Sequence, residues 1–356
     1  VKKALHILTL AVFCCVTLLS CEKLVFEEGA VICGDDSVQV SLRISTGDEG
    51  ETRALTGTDE PGTGYENYLD ISGLRILLFD DNNRFLQQFT PDEVRPVDKS
   101  EYPSKWELRG TLGNPPSGRF KIVALANWPY APTGLKAGKT TIEDVCKAEW
   151  AMGTYTGTDT DPFTPSAATP IPMYGVRTQE ALYFRSDVET YLGEIDLLRA
   201  FAKITLCAES GTEITSVTLK KYNRTYACAP IGMYTNTSQS NAVHLSGEAG
   251  DNNPGTSLSF SQSKDRTAWT IYVPEYLNAG PSGTARGDCS FIELTVKGSG
   301  DTYRIDFRDY STAADDGNRF DIIRNYEYRY TVKATPLLFS VTVEKWQFGG
   351  KVIIDL

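Results

Sequence analysis

Chemistry depends on particular side chains at particular spacings, and this chain offers few of them. It contains two histidines, His6 and His244. His6 falls in the leader described below, so a zinc site built on a histidine cluster is excluded, and a catalytic dyad or triad would have to use His244. Besides Cys14 and Cys15 in that leader, cysteines stand at Cys21, Cys33, Cys146, Cys207, Cys228 and Cys289 with no CxxC or metal-like spacing. Most of them read as isolated buried thiols behaving as small hydrophobes. Cys207 and Cys228 fall in neighbouring expected strands and are the pair to examine first if the protein is exported. Acidic groups at Asp48, Glu49 and Glu51, or Asp315 and Asp316, lack the spacing and bidentate glutamate of a calcium loop and read as solvated turns. A glycosidase needs only two carboxylates, yet no pair is singled out. No metal ligand set and no cofactor signature emerges, and we read the chain as not an enzyme.

Binding chemistry is scarcely better marked. Trp106, Trp128, Trp150, Trp269 and Trp346 could stack on sugar rings, which makes a surface carbohydrate-binding module the rival to a structural role. Core and hairpin packing is the commoner use of such residues. Arg286-Gly287-Asp288 spells an adhesion tripeptide, but three residues in a glycine-rich loop match by chance. Of 356 residues, 35 are Lys or Arg and 46 Asp or Glu. The first twenty hold two lysines and no acid, leaving 33 basic against 46 acidic residues, a balance of −13. Phosphate backbones and anionic membrane faces would be repelled, so no nucleic-acid partner is expected.

The chain opens on Val1 where Met is usual, which we read as an alternative start codon. Lys2-Lys3 and an apolar run to Ser20 have the form of a signal peptide over 1–20. The run ends Leu18-Leu19-Ser20-Cys21, which resembles the bacterial lipobox, so Cys21 is the expected lipidation site and 21–36 a lipidated linker. Two or three acyl chains, at roughly 0.8 kcal/mol per buried CH₂, suffice for stable anchoring where one would not. An ordinary cleaved leader is the alternative. In a bacterial lipoprotein the sequons Asn223-Arg224-Thr225 and Asn236-Thr237-Ser238 carry little meaning. No other stretch approaches the roughly 20 apolar residues of a spanning helix.

The elements that would position any site read almost entirely as β. Hydrophobic residues make up 41%, charged 23% and aromatic 11%, a globular composition. Val38, Val40, Leu42 and Ile44 alternate with Gln39, Ser41 and Arg43, the pattern of a half-buried strand. Residues 46–68 form a long polar loop whose one basic residue is Arg53. Strands over 74–79 and 84–89 flank the turn Asp80-Asn83, and 106–112 and 120–126 read as a further pair. The segment 140–152 predicts the one helix, capped by Thr140 with Glu143 returning the bond and Trp150 on one face. From Ile195 to Leu206 an apolar run opens a second block, with strands over 216–222, 268–273, 291–297 and 303–307 spaced as in a sandwich. Tyr326, Tyr328, Tyr330 and Val332 alternate with Glu327, Arg329, Thr331 and Lys333, giving an apolar face to be buried and an ionic one. The chain closes on the alternation 339–344 and a last strand over 351–356.

The order of these features resembles the fimbrillins of type V pili, the surface fibres of Bacteroidales. The likeness is carried by Cys21, the strand 37–44, Thr52-Arg53-Ala54, Leu74-Arg75-Ile76-Leu77-Leu78-Phe79-Asp80, Phe120-Lys121-Ile122-Val123-Ala124-Leu125-Ala126-Asn127, Pro172-Met173-Tyr174-Gly175, Arg199-Ala200-Phe201-Ala202-Lys203-Ile204 and Tyr326-Glu327-Tyr328. It implies an all-β protein with two transthyretin-like β-sandwich domains in tandem; a boundary near Glu194, read from the residues, sets these at 37–193 and 194–335, with the one short helix in the first. It also implies lipoprotein export to the outer membrane and assembly into a surface fimbrium with other pilus subunits. In that scheme an arginine-specific protease cuts between Arg53 and Ala54, and the first strand is displaced. Its groove is then filled by a donor segment, 336–356, of the next subunit. Stalk is the expected role, with an anchor that keeps its lipid and its first strand as the alternative; a tip role fits less well.

That scheme is physically coherent. Four inward side chains at roughly 1.5–3 kcal/mol each put on the order of 10 kcal/mol, as an upper estimate, into the first strand. A vacated groove would therefore demand a replacement. Phe339, Val341 and Val343, with Val352, Ile353 and Ile354, are the donor candidates.

Overall fold

A computed structural model describes residues 37–46, 64–129, 133–152, 162–229, 257–278, 289–297, 302–308, 319–332, 339–345 and 352–354. The first half contributes β1 (Val38–Ser45), β2 (Arg75–Asp80), β3 (Phe85–Phe89), β4 (Glu93–Pro96), β5 (Lys105–Leu112), β6 (Phe120–Ala126), the helix α1 (Ile142–Cys146), β7 (Glu149–Ala151), β8 (Met173–Gln179), β9 (Thr190–Asp196) and β10 (Leu198–Arg199). They form two sheets, in the orders β4-β5-β1-β9 and β10-β8-β6-β2-β3. β6, buried along its whole length, is the centre of the second sheet. Gly175 lets β8 pass close beneath the β9–β10 link, since a Cβ there would lie 2.6 Å from the carbonyl oxygen of Asp196.

The second half contributes β11 (Ala202–Ala208), β12 (Ile214–Lys220), β13 (Thr225–Ala227), β14 (Leu258–Ser259), β15 (Ser261–Gln262), β16 (Ala268–Val273), β17 (Phe291–Val296), β18 (Thr302–Asp306), β19 (Tyr326–Val332), β20 (Phe339–Lys345) and β21 (Val352–Ile354). Its sheets run β15-β16-β11-β19-β20-β21 and β14-β12-β17-β18. The protein is thus all-β, two sandwiches with one short helix. The halves repeat one arrangement. β1 lies antiparallel to β5 and parallel to β9, and β11 lies antiparallel to β16 and parallel to β19. The tyrosine stripe is core: Tyr328, Tyr330 and Val332 are buried, and Phe307 meets both tyrosine rings edge-on at 5.7 and 5.8 Å.

Several local expectations are corrected. The helix is one short turn, capped by Thr141 rather than Thr140, with Asp144 rather than Glu143 returning the bond at 2.8 Å. Beyond it the chain turns extended, and β7 pairs with β13 in a two-stranded ribbon that joins the halves. Helical periodicity over so short a stretch carries little stability of its own, and pairing elsewhere overrides it. β5 and β6 do not pair: the turn between them carries the chain from one sheet to the other. The apolar run 195–206 is split, with β9 and β10 in first-half sheets and β11 opening the second. Cys207 and Cys228 are not neighbours, for β11 lies between β16 and β19 while Cys228 follows β13; both are free thiols.

Candidate functional site

β1 is an internal strand, hydrogen-bonded along both edges. Against β5 its register runs from Val38↔Leu112 to Ser45↔Lys105, and against β9 from Val40↔Thr190 to Ser45↔Asp196 with a shift between Ser41 and Arg43. Val38, Val40, Leu42 and Ile44 are at most 1% exposed. The exit from the strand is also held: Thr46 N–H donates to Ser104 O at 2.8 Å and Leu197 N–H to Ser45 O at 2.7 Å. Without β1, the facing edges of β5 and β9 and a row of apolar side chains would be left open, a slot shaped for one strand with period-2 hydrophobicity.

On the outer face of that sheet Arg43 lies 3.6 Å from Glu107, which also receives Arg95 Nε at 2.8 Å and lies 3.6 Å from Arg109. The hydrogen bond from Arg95, together with the charges of Arg109, Arg95 and Arg43, holds the Glu107 carboxyl below its usual range against the opposing effect of burial. A carboxyl lowered in the folded state adds stability above the ordinary carboxylate range and loses it as pH falls through the folded value. Glu107→Gln is therefore expected to lower the denaturant midpoint at pH 7 and to match the wild type in strong acid. A gap that persists unchanged in acid would remove Glu107 from this role.

Beyond the polar stretch the chain re-enters as a 3-10 turn, Gly64–Asn67, in which Glu66 and Asn67 are buried. Arg199, at the end of β10 and wholly buried, donates from Nε to Glu66 O at 3.0 Å, from Nη1 to Asn325 Oδ1 at 3.1 Å and from Nη2 to Asn67. Lys203 Nζ lies 2.9 Å from Glu66 and 3.7 Å from Glu327; Tyr272 donates to Glu66 at 2.5 Å and Thr205 to Glu327 at 2.9 Å. Burial pulls the Arg199 pKa down to about 10, with Glu66 and Tyr272 opposing, so the side chain stays cationic near neutrality. This cluster pins the far end of the polar stretch to β10, β11, β16 and β19. Sequence reasoning missed it, and the ionic face expected of β19 is in fact buried at Glu327. The available signal was Arg199 and Lys203, two cations inside an otherwise apolar run.

At the other end, β20 pairs with β19 from Val332↔Phe339 to Tyr326↔Lys345, and β21 pairs with β20 through Val341↔Ile354 and Val343↔Val352. The donor candidates Phe339, Val341 and Val343, and Val352 with Ile354, thus occupy alternate positions on the two strands at the edge of their sheet. Cys21, Arg53, Ala54, Cys33, His244, Trp346 and the tripeptide 286–288 lie outside the described residues. Of the other tryptophans, Trp128 is buried with its indole N–H on Met173 O at 2.7 Å, Trp150 packs 4.6 Å from it, Trp269 is buried, and Trp106 is half-buried. Among the described residues no three histidine, cysteine or carboxylate side chains gather to hold a metal, and no helix is long and apolar enough to cross a membrane.

The fold and the slot define a class: two-sandwich proteins built around an internal first strand. The model of the family described as fimbrillin-A associated anchor proteins Mfa1 and Mfa2 matches residues 34–348, and the chain belongs to that family. Among solved structures, the tip fimbrial protein Mfa3 of Porphyromonas gingivalis, solved with a C-terminal truncation, is 15% identical with a TM-score of 0.59, over 90% of this chain and 100% of that one. A fimbrial assembly protein from Parabacteroides distasonis is 13% identical with a TM-score of 0.49 over 90% and 100%. The fimbrial anchor protein Mfa2 of Porphyromonas gingivalis is 12% identical with a TM-score of 0.39 over 89% and 99%. No curated protein sequence matches the chain. Membership of that family makes it a fimbrial protein, placed at the cell-surface fimbrium with other pilus subunits as partners.

Proposed function

We propose that this chain is exported as a lipoprotein acylated on Cys21, reaches the outer membrane, and enters the fimbrium by strand exchange as a stalk subunit. Cleavage between Arg53 and Ala54 frees β1, and a strand from a neighbouring subunit takes the place of Val38, Val40, Leu42 and Ile44. The segment 336–356, with Phe339, Val341, Val343, Val352 and Ile354, serves the next subunit in the same way. The change of domain falls between β10, whose Leu198 and Arg199 still pair with β8, and β11, a few residues beyond the 193/194 boundary drawn from the sequence. The observation that carries this reading is the placement of β1: a strand buried on one face and bonded on both edges leaves, when removed, a site that only another strand satisfies. Ladder bonds contribute about 0.5–1.5 kcal/mol net each, in addition to the recovered burial.

The experiment is digestion of the purified chain with an arginine-specific protease. One early cut at Arg53, followed by a ladder of detergent-resistant oligomers, is expected. Trimmed monomers alone would end the stalk assignment. A second reading is favoured by the match to anchor proteins: a basal subunit that keeps both lipid and β1. The packed state of the four described tryptophans gives the carbohydrate-binding alternative no support.

A further inference from the structure

Two cysteines 82 residues apart in sequence lie at the ribbon that joins the halves. Cys146 is the last residue of α1, and Cys228 directly follows β13. The β7–β13 ladder runs from Thr225↔Ala151 to Ala227↔Glu149. Beyond it the pairing continues toward the helix: Cys228 N–H donates to Ala148 O at 2.9 Å and Ala229 N–H to Cys146 O at 3.1 Å. That last bond joins the peptide units that leave the two cysteines, so standard backbone dimensions keep their Cα atoms within about 8 Å. Disulfides span roughly 4.4–6.8 Å between Cα atoms, so this ceiling lies about an ångström above the span a bridge needs. Both side chains are fully buried in the same core, near Tyr174 and Arg324, whose Nη1 donates to Cys228 O at 3.1 Å.

We propose that Cys146 and Cys228, free thiols in this structure, form a disulfide on oxidation that staples the end of α1 to the strand end after β13, tying the two halves of the protein together. Each cysteine gives up one proton, and together they lose two electrons. The acceptor is an incoming disulfide, carried by a thiol–disulfide oxidoreductase or a small molecule outside the cytoplasm, which leaves as two thiols. One thiolate attacks that disulfide and expels the first thiol; the second attacks the resulting mixed disulfide and expels the other. Burial pushes the Cys146 thiol up to about 12 and raises that of Cys228 well above its ordinary value, so neither is a nucleophile in the closed fold. Exchange therefore precedes closure of the seam, and the finished bond is shielded from reductant by the same packing. The other two described cysteines are placed differently. Cys207 pairs across its sheet with Ala268 and Thr331, and Cys289 accepts from Arg319 at 3.2 Å. The bond's presence on the cell surface rests on the export reading; its geometry does not.

The test is refolding of the full chain, reduced and denatured, in glutathione buffers of stepped thiol–disulfide ratio, with alkylation and peptide mapping at each step. A linked Cys146–Cys228 peptide is expected at ratios that leave Cys207 and Cys289 alkylated, with a melting midpoint for the oxidised protein roughly 5–10 °C above that of the reduced one. Alkylation of both cysteines at every ratio, a link to another cysteine, or equal midpoints would overturn the proposal. Lipid on Cys21 is read separately from the mass of the N-terminal peptide of the cell-derived protein. Loss of the export reading and loss of the pairing are therefore distinct results.

Discussion

Leu42→Ala is expected to lower the unfolding free energy of the uncut chain by about 2–5 kcal/mol, read from its denaturant midpoint. Leu42 has no exposed surface and sits opposite Leu108 near the middle of β1. Both flanking strands are held in ladders, so the cavity has little room to collapse. The same substitution also separates the two functional readings. In an assembled stalk particle β1 has gone, and the variant and the wild type should melt alike. In an anchor the strand stays, and the deficit should persist in the mature form. If Leu42→Ala leaves the uncut chain as stable as the wild type, β1 does not fill its slot and the strand-exchange proposal loses its basis.

Arg199→Met is expected to cost about 3–5 kcal/mol, comparable to breaking a buried ion pair from one side. The methionine fills part of the volume but removes the guanidinium shared by the carbonyl of Glu66 and the side-chain oxygens of Asn67 and Asn325, although the backbone N–H at 199 still donates to Asn325 Oδ1 at 3.3 Å. Arg199→Lys keeps the charge and loses the planar fork, and should fall between the two. Limited proteolysis supplies a local readout, because the turn at 64–67 should become a cutting site in the methionine variant before the rest of the fold melts. A methionine variant with wild-type stability and the same digestion pattern would show that the cluster does not hold the junction.

How much could be read without coordinates differs from element to element. β1, β16, β19 and the β2–β3 hairpin were legible because a strand with one buried face repeats every two residues and a turn needs residues that tolerate its dihedrals, as Asn83 does at φ 63°. The helix was overextended because Ile142, Val145 and Cys146 do face the core, yet Trp150, which fits the same period, packs instead against Trp128 and Tyr226 from a strand. The pairing of β5 with β6 was wrong for a related reason: two apolar runs around a tight turn describe a hairpin and a sheet-to-sheet crossing equally well.

The amino-acid order by itself determined which residues of each strand face inward, the acidic balance, the poverty in histidine and the succession of features that places the chain among fimbrial proteins. Periodicity constrains the two faces of a strand and says nothing about which strand lies beside it. Only the tertiary structure decided that β1 is internal and parallel to β9, that Glu327 on the polar side of β19 is buried with Lys203, and that Cys228 follows β13 toward the end of α1 instead of lying beside Cys207. A buried polar group such as Arg199 is stabilised by partners more than a hundred residues away, and those partners meet only when the sheets close over them.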